Sequence, residues 1–155
     1  HTAQLIVQVA GRAGRAERPG EVWIQTFNPG NPLLQALVER GYEGFATTEL
    51  AQRAAAGLPP FRAMALLKAD GVDVDRTLAC LRSLVDGLSS FAVEVLGPAQ
   101  APLARRARRY RCQTALLARD RATLGAALDQ LVASHGQSRY PGVRWSIDVD
   151  PYDMF

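Results

Sequence analysis

Pro59 and Pro60 stand side by side in Leu58-Pro59-Pro60-Phe61, and no regular element runs through such a pair. Each ring fixes φ, removes a backbone donor and pushes the preceding residue out of the helical region. The 155-residue chain therefore divides into residues 1–57 and 58–155. Each side has to bury its own apolar residues. Hydrophobic residues make up 48% of the chain and charged residues 21%, which supports packed cores and not disorder.

The second segment alternates cleanly between the two hydrophobic periods. Arg62–Ala69 is an apolar strand, and Val74–Leu88 has helical spacing through Leu78, Leu81, Val85 and Leu88. Ala92–Leu96 reads as a strand ended by Gly97-Pro98, followed by a basic loop and a strand over Tyr110–Ala118. Arg121–Ser134 is a helix with Leu124, Leu128, Leu131 and Val132 inward. Val143, Trp145, Ile147 and Val149 alternate along a last strand. The order β-α-β-β-α-β predicts a ferredoxin-like α+β domain, an antiparallel sheet with two helices on one face.

The first segment is less regular. Residues 2–10 suit a helix, and Glu21–Phe27 has strand propensity with Val22, Ile24 and Thr26 on one side. Asn31 is placed to cap a helix with Pro32 at its first position, its stripe formed by Leu33, Leu34, Leu37 and Val38. A second helix is expected at about residues 46–56, with Thr47 or Thr48 as cap and Gly57 as stop.

Between the first helix and the first strand lies Gln8-Val9-Ala10-Gly11-Arg12-Ala13-Gly14-Arg15. Phosphoryl transfer spreads negative charge over the γ-phosphate oxygens, and a guanidinium brought against them stabilises that charge. The planar fork of Arg12 or Arg15 holds two oxygens at once, which lysine cannot do. Gly11 and Gly14 let the backbone approach a nucleotide, and Gln8 offers a donor and an acceptor for a water. The competing reading is an Arg/Gly-rich surface turn. Lys68 is the only lysine beside 17 arginines, so arginine abundance says little here and clustering says more.

The densest cluster is Arg105, Arg106, Arg108, Arg109 and Arg111, with Tyr110 inside it. Clustered arginine neutralises phosphates, and a tyrosine ring stacks on bases. The plain alternative is a solvated hairpin. If Tyr110, Cys112 and Thr114 face one way, Arg109, Arg111 and Gln113 face the other. Asp148, Asp150 and Asp153 fit neither a calcium loop nor an acid–base pair and read as strand-end and surface charge. Trp23 and Trp145 read as core or interface aromatics. Cys80 and Cys112 read as two buried thiols. With His1 and His135 they give no zinc spacing, so no metal site is expected.

Gln8–Arg15 resembles motif VI of superfamily 2 helicases. Together with Gly20–Thr26, Tyr42, Phe45-Ala46, Leu58–Phe61, Leu96-Gly97-Pro98, Arg109-Tyr110-Arg111 with Gln113, and Asp148-Val149-Asp150-Pro151, it resembles the primosomal protein N′ family of replication-restart helicases. The resemblance implies an α/β chain, with residues 1–57 ending a second RecA-like lobe and 58–155 forming the family's C-terminal domain. It implies that Arg12 and Arg15, with Gln8, meet the γ-phosphate, and that Gly11 and Gly14 border the nucleotide. It further implies an ATP-dependent 3′→5′ DNA helicase acting on forked or single-stranded DNA. Its partners would be primosome proteins and the acidic tail of single-stranded DNA-binding protein (SSB). Arg105, Arg106, Arg108, Arg109, Tyr110, Arg111 and Arg121 are the candidate contacts to DNA or to that tail.

ATP, Mg²⁺ and a zinc-holding cysteine region belong by this resemblance to the longer parent. No Gly-x-x-x-x-Gly-Lys-[Ser/Thr] loop occurs here, so this polypeptide alone is expected to lack ATPase activity. It starts at His1 and not at Met, and is expected to be part of a longer protein. With neither a signal peptide nor an apolar run of roughly 20 residues, a cytoplasmic, nucleoid-associated protein without membrane contact is expected. Two other readings fit residues 58–155: a standalone nucleic-acid-binding module, though the strands lack the aromatic pattern of RNA-binding sheets, and a protein-assembly domain.

Overall fold

The structure is a computed structural model that describes residues 2–15, 18–136 and 140–152. It divides into two compact units, His1–Ala56 and Gly57–Phe155.

The first unit begins with helix α1 (Thr2–Ala10). Its C-terminal turn is closed by Gly11 N–H donating to Val7 O at 2.9 Å and Arg12 N–H to Val9 O at 3.0 Å. A minimal antiparallel pair follows, β1 (Gly14–Arg15) with β2 (Arg18–Pro19). Residues 20–27, where a strand was expected, form no ladder. Trp23 is 89% exposed and Phe27 fully exposed, so Trp23 is not a core aromatic of this unit. Alternation prepares a strand, but the hydrogen-bond ladder needs a neighbour, and none is present among the described residues.

Helix α2 (Pro32–Ala55) is capped as its sequence requires, with Asn31 Oδ1 accepting from Leu33 N–H at 2.9 Å. Gly41, at φ 67° and ψ −164°, breaks it into two helical runs. The second run starts directly after this glycine, earlier than expected. Thr48 is therefore no cap: its hydroxyl donates to Gly44 O at 2.8 Å inside the helix. Ala36 and Leu37 pack inward, while Val38 stays exposed.

The second unit contains β3 (Ala63–Gly71), α3 (Val74–Asp86), β4 (Val93–Arg106), β5 (Arg109–Ala118), α4 (Arg121–His135) and β6 (Val143–Val149). The strands pair antiparallel in the order β4-β5-β3-β6, the ferredoxin-like arrangement. Asp73 and Asp120 cap α3 and α4, accepting from Arg76 N–H at 2.9 Å and Thr123 N–H at 2.8 Å. Both helices lie on one face. Leu81, Leu84, Leu124 and Leu131 meet Ala65, Leu67, Cys112 and Leu116 in the main core. Cys80 and Cys112 are free, buried thiols, and burial pushes Cys80 up to about 11. Val132, expected inward, is about half exposed. The opposite face of the sheet carries a smaller apolar cluster of Met64, Leu66, Ala115 and Leu117, with Leu58 packed against it.

The expected end of β4 at Gly97-Pro98 does not occur. The strand shifts register between Leu96 and Ala99, again between Gln100 and Arg105, and continues to Arg106. As an edge strand, β4 accommodates a proline and the missing ladder bond. Gly97 takes φ 114°, a conformation that side chains rarely adopt. The basic segment is consequently the tip of a long β4–β5 hairpin and not a loop. Arg105 pairs with Tyr110 and Arg106 with Arg109, across a two-residue turn of Ala107 (φ 50°) and Arg108 (φ 61°).

Candidate nucleic-acid interface

Strand periodicity sends Cys112 and Thr114 into the core and Arg109, Arg111 and Gln113 to the helix-free face. Tyr110 lies on the other side from Arg111. The Arg105 guanidinium sits 5.2 Å from its ring centroid, a cation–π contact between cross-strand neighbours. One face of this tyrosine is thereby occupied by the protein's own arginine. Arg105 and Arg108 are exposed at the tip, and the side chain of Arg106 lies outside the described set.

On the open face, Lys68 and Asp70 of β3 and Arg144 and Ser146 of β6 join Arg109, Arg111 and Gln113 around a groove of about 540 Å³. Arg109 is the staple of this region. It pairs with the Asp70 carboxylate through Nε, and donates to Asp70 O at 2.8 Å and Gly142 O at 3.1 Å. Arg144 donates to the same carboxylate at 3.1 Å, and Lys68 pairs with Asp148 at 2.6 Å. Partial burial pushes the Asp70 carboxyl up. Hydrogen bonds from Arg144 and Arg109, together with their charges, outweigh that and hold it below its ordinary value.

A carboxylate with a depressed folded pKa stabilises the fold above its unfolded pKa and ceases to do so as pH falls through the folded value. Asp70→Asn is therefore expected to cost about 1–3 kcal/mol at pH 7, the range for hydrogen bonds to charged groups. The gap from the parent should begin to narrow below about pH 4 and shrink further as pH falls through the lowered folded value. Urea denaturation of both proteins at pH 7 and pH 3 measures it, and an equal gap at the two values would remove Asp70 from the ionic network.

A second, more apolar groove of about 430 Å³ lies between α4 and β6, lined by Leu124, Gly125, Leu128, Val132, Ile147 and Val149. Arg121 stands at its rim, largely exposed, and pairs with Asp150 at 2.5 Å. In the first unit, Gln8 and Arg12 are exposed at the end of α1 beside Gly11. The side chain of Arg15 and the surroundings of Gly14 lie outside the described set. Among the described residues, no group of three or more His, Cys, Asp or Glu is placed to hold a metal ion, and no helix is long and apolar enough to cross a membrane.

A sequence profile described as the primosomal protein N C-terminal domain matches residues 54–152. The chain belongs to that family. The primosomal protein N match takes in both grooves and the hairpin, and relatives extend the likeness to the first unit. Replication restart protein PriA of Haemophilus influenzae is 41% identical over 98% of this chain and 21% of its own length. The protein of that name from Synechocystis is 42% identical over 71% of this chain and 14% of its own length. The one from Bacillus subtilis is 32% identical over 99% and 20%. The chain thus spans about a fifth or less of the length of these curated relatives.

Lys68, Asp70 and Arg144 were not among the sequence candidates. Their signal was present: the only lysine and an aspartate two residues apart inside an apolar strand, and an arginine between Val143 and Trp145. What the sequence lacked was the register that sets them side by side.

Proposed function

We propose that this chain is the C-terminal part of an ATP-dependent 3′→5′ DNA helicase that restarts stalled replication forks, and that its second unit contacts forked or single-stranded DNA. The observation that carries the reading is the arginine-rich hairpin beside a cationic groove, inside the segment that matches the primosomal domain. The relatives above are named replication restart proteins. On this reading, residues 1–57 end a RecA-like lobe, and Arg12 and Arg15 with Gln8 stabilise charge on the γ-phosphate of an ATP–Mg²⁺ held by another lobe. Gly11 and Gly14 border that nucleotide. Zinc belongs to a separate region of the parent. Primosome proteins and the SSB tail are the protein partners, in the cytoplasm at the nucleoid.

The α4–β6 groove is the proposed seat of the SSB tail. Its apolar walls suit the phenylalanine with which, by the family resemblance, that tail ends, and Arg121 at the rim suits the acidic residues. Gly125 keeps the groove open, since a Cβ there would meet nothing within 4 Å. Two variants separate the ligands. Arg105→Ala with Arg108→Ala is expected to weaken forked-DNA binding about threefold to tenfold and flatten its salt dependence, leaving SSB-tail peptide binding unchanged. Gly125→Leu is expected to do the reverse. Fluorescence anisotropy with each ligand reads both, and a parent chain that binds neither would end the proposal.

A further inference from the structure

Register sets a row of charges across three adjacent strands of the open face. Asp70 on β3 is paired with Arg111 on β5 and Arg144 on β6. The next row on this face is Gln113, Lys68 and Ser146. The groove over these rows is lined by four cations, Lys68, Arg109, Arg111 and Arg144, against the carboxylates of Asp70 in its wall and Asp148 beside Lys68.

The four cations are not equivalent. Arg109 uses its donors on Asp70 and on the Gly142 carbonyl. Lys68 is held by Asp148 at 2.6 Å. Arg144 touches Asp70 through one nitrogen at 3.1 Å, and its side chain is 75% exposed. Arg111 has no hydrogen bond or ion pair to any side chain among the described residues. Two guanidinium groups with donors to spare therefore flank Asp70, two strand spacings apart, or roughly 10 Å.

We propose that Arg111 and Arg144 form a two-arginine phosphate clamp for a nucleic-acid backbone laid across the open face, with Asp70 as the positioning residue for Arg144. This rests on the nucleic-acid reading above and names the groups that meet the ligand. The charge balance favours an anionic ligand. The rows themselves are polar and charged, Trp145 at the groove packs against the main core, and Tyr110 lies on the other face under Arg105. Phosphate is the part of a nucleic acid that this surface recognises: planar forks match its oxygens bidentately, and contacts of this kind position a strand without reading its sequence.

The test is a salt series of fluorescence-anisotropy titrations of the full chain with a labelled forked DNA. Arg111→Ala and Arg144→Ala are each expected to weaken binding about fivefold to tenfold and to lower the salt slope by about one. Arg111→Lys should keep the slope while losing affinity, because the charge stays and the fork is lost. Arg82→Ala, on α3, should change neither. Arg109→Ala should lower the melting temperature, whereas Arg111→Ala should not, which separates the staple from the clamp. If the parent binds DNA and both clamp variants keep its affinity and slope, the clamp is wrong and the nucleic-acid reading stands. If the parent binds no DNA, both fall. Displacement of the DNA by a polyglutamate peptide at equal charge concentration would assign the groove to acidic peptides and overturn the clamp.

Discussion

Leu116→Ala is expected to destabilise the second unit by about 2–5 kcal/mol, which in a domain of this size lowers the melting temperature by roughly 10 °C or more. Leu116 is fully buried in the main core, on the helix-facing side of β5, the strand that lies between β4 and β3. Truncation removes packing from the core that the sheet shares with both helices and leaves a cavity that the sheet cannot close by shifting. Phe61→Ala is the comparison, since Phe61 is about half exposed and its loss should cost far less. Thermal melts followed by circular dichroism measure both. Equal shifts for the two variants would contradict the described core.

The second large effect is expected at Gly97. At φ 114° a side chain is strained whatever room it has, and here there is little. A Cβ would stand 3.1 Å from Gln113 O and 3.3 Å from Ala99 N. Both are backbone atoms of the hairpin and cannot swing aside. Gly97→Ala is expected to cost about 2–4 kcal/mol, strain and overpacking together. Because Gly97 lies where β4 changes register on its way to the tip, the variant should also weaken forked-DNA binding, even at temperatures where it stays folded. Gly125→Ala is the opposite case, with open space and a helical backbone, and should stabilise by about half to one kcal/mol. A Gly97→Ala protein that melts with its parent would show that this backbone conformation is not required.

The two helices and four strands of the second unit were legible because each carries its own period. Val143–Val149 was readable to the residue from alternation alone, and Asn31-Pro32 announced its helix start by capping chemistry. The failures share a cause: local pattern does not specify partners. Glu21–Phe27 alternates as a strand should, but pairs with no strand among the described residues. Gly97-Pro98 looks like a terminator unless the strand is known to be at an edge. The candidate interface was half legible in the same way. The arginine cluster stood out as a run. The Arg111–Asp70–Arg144 row joins residues 33, 41 and 74 positions apart and exists only once antiparallel register is fixed.

Ala107 and Arg108 form the apex of the β4–β5 hairpin. Both residues hold the left-handed backbone that asparagine and glycine adopt most easily, and neither is of that kind. A hairpin shaped by foldability alone would carry Asn-Gly at that point. This one accepts a less comfortable apex and places a guanidinium there instead. The apex is thus a place where asparagine or glycine would relax the backbone and remove a surface charge in the same step.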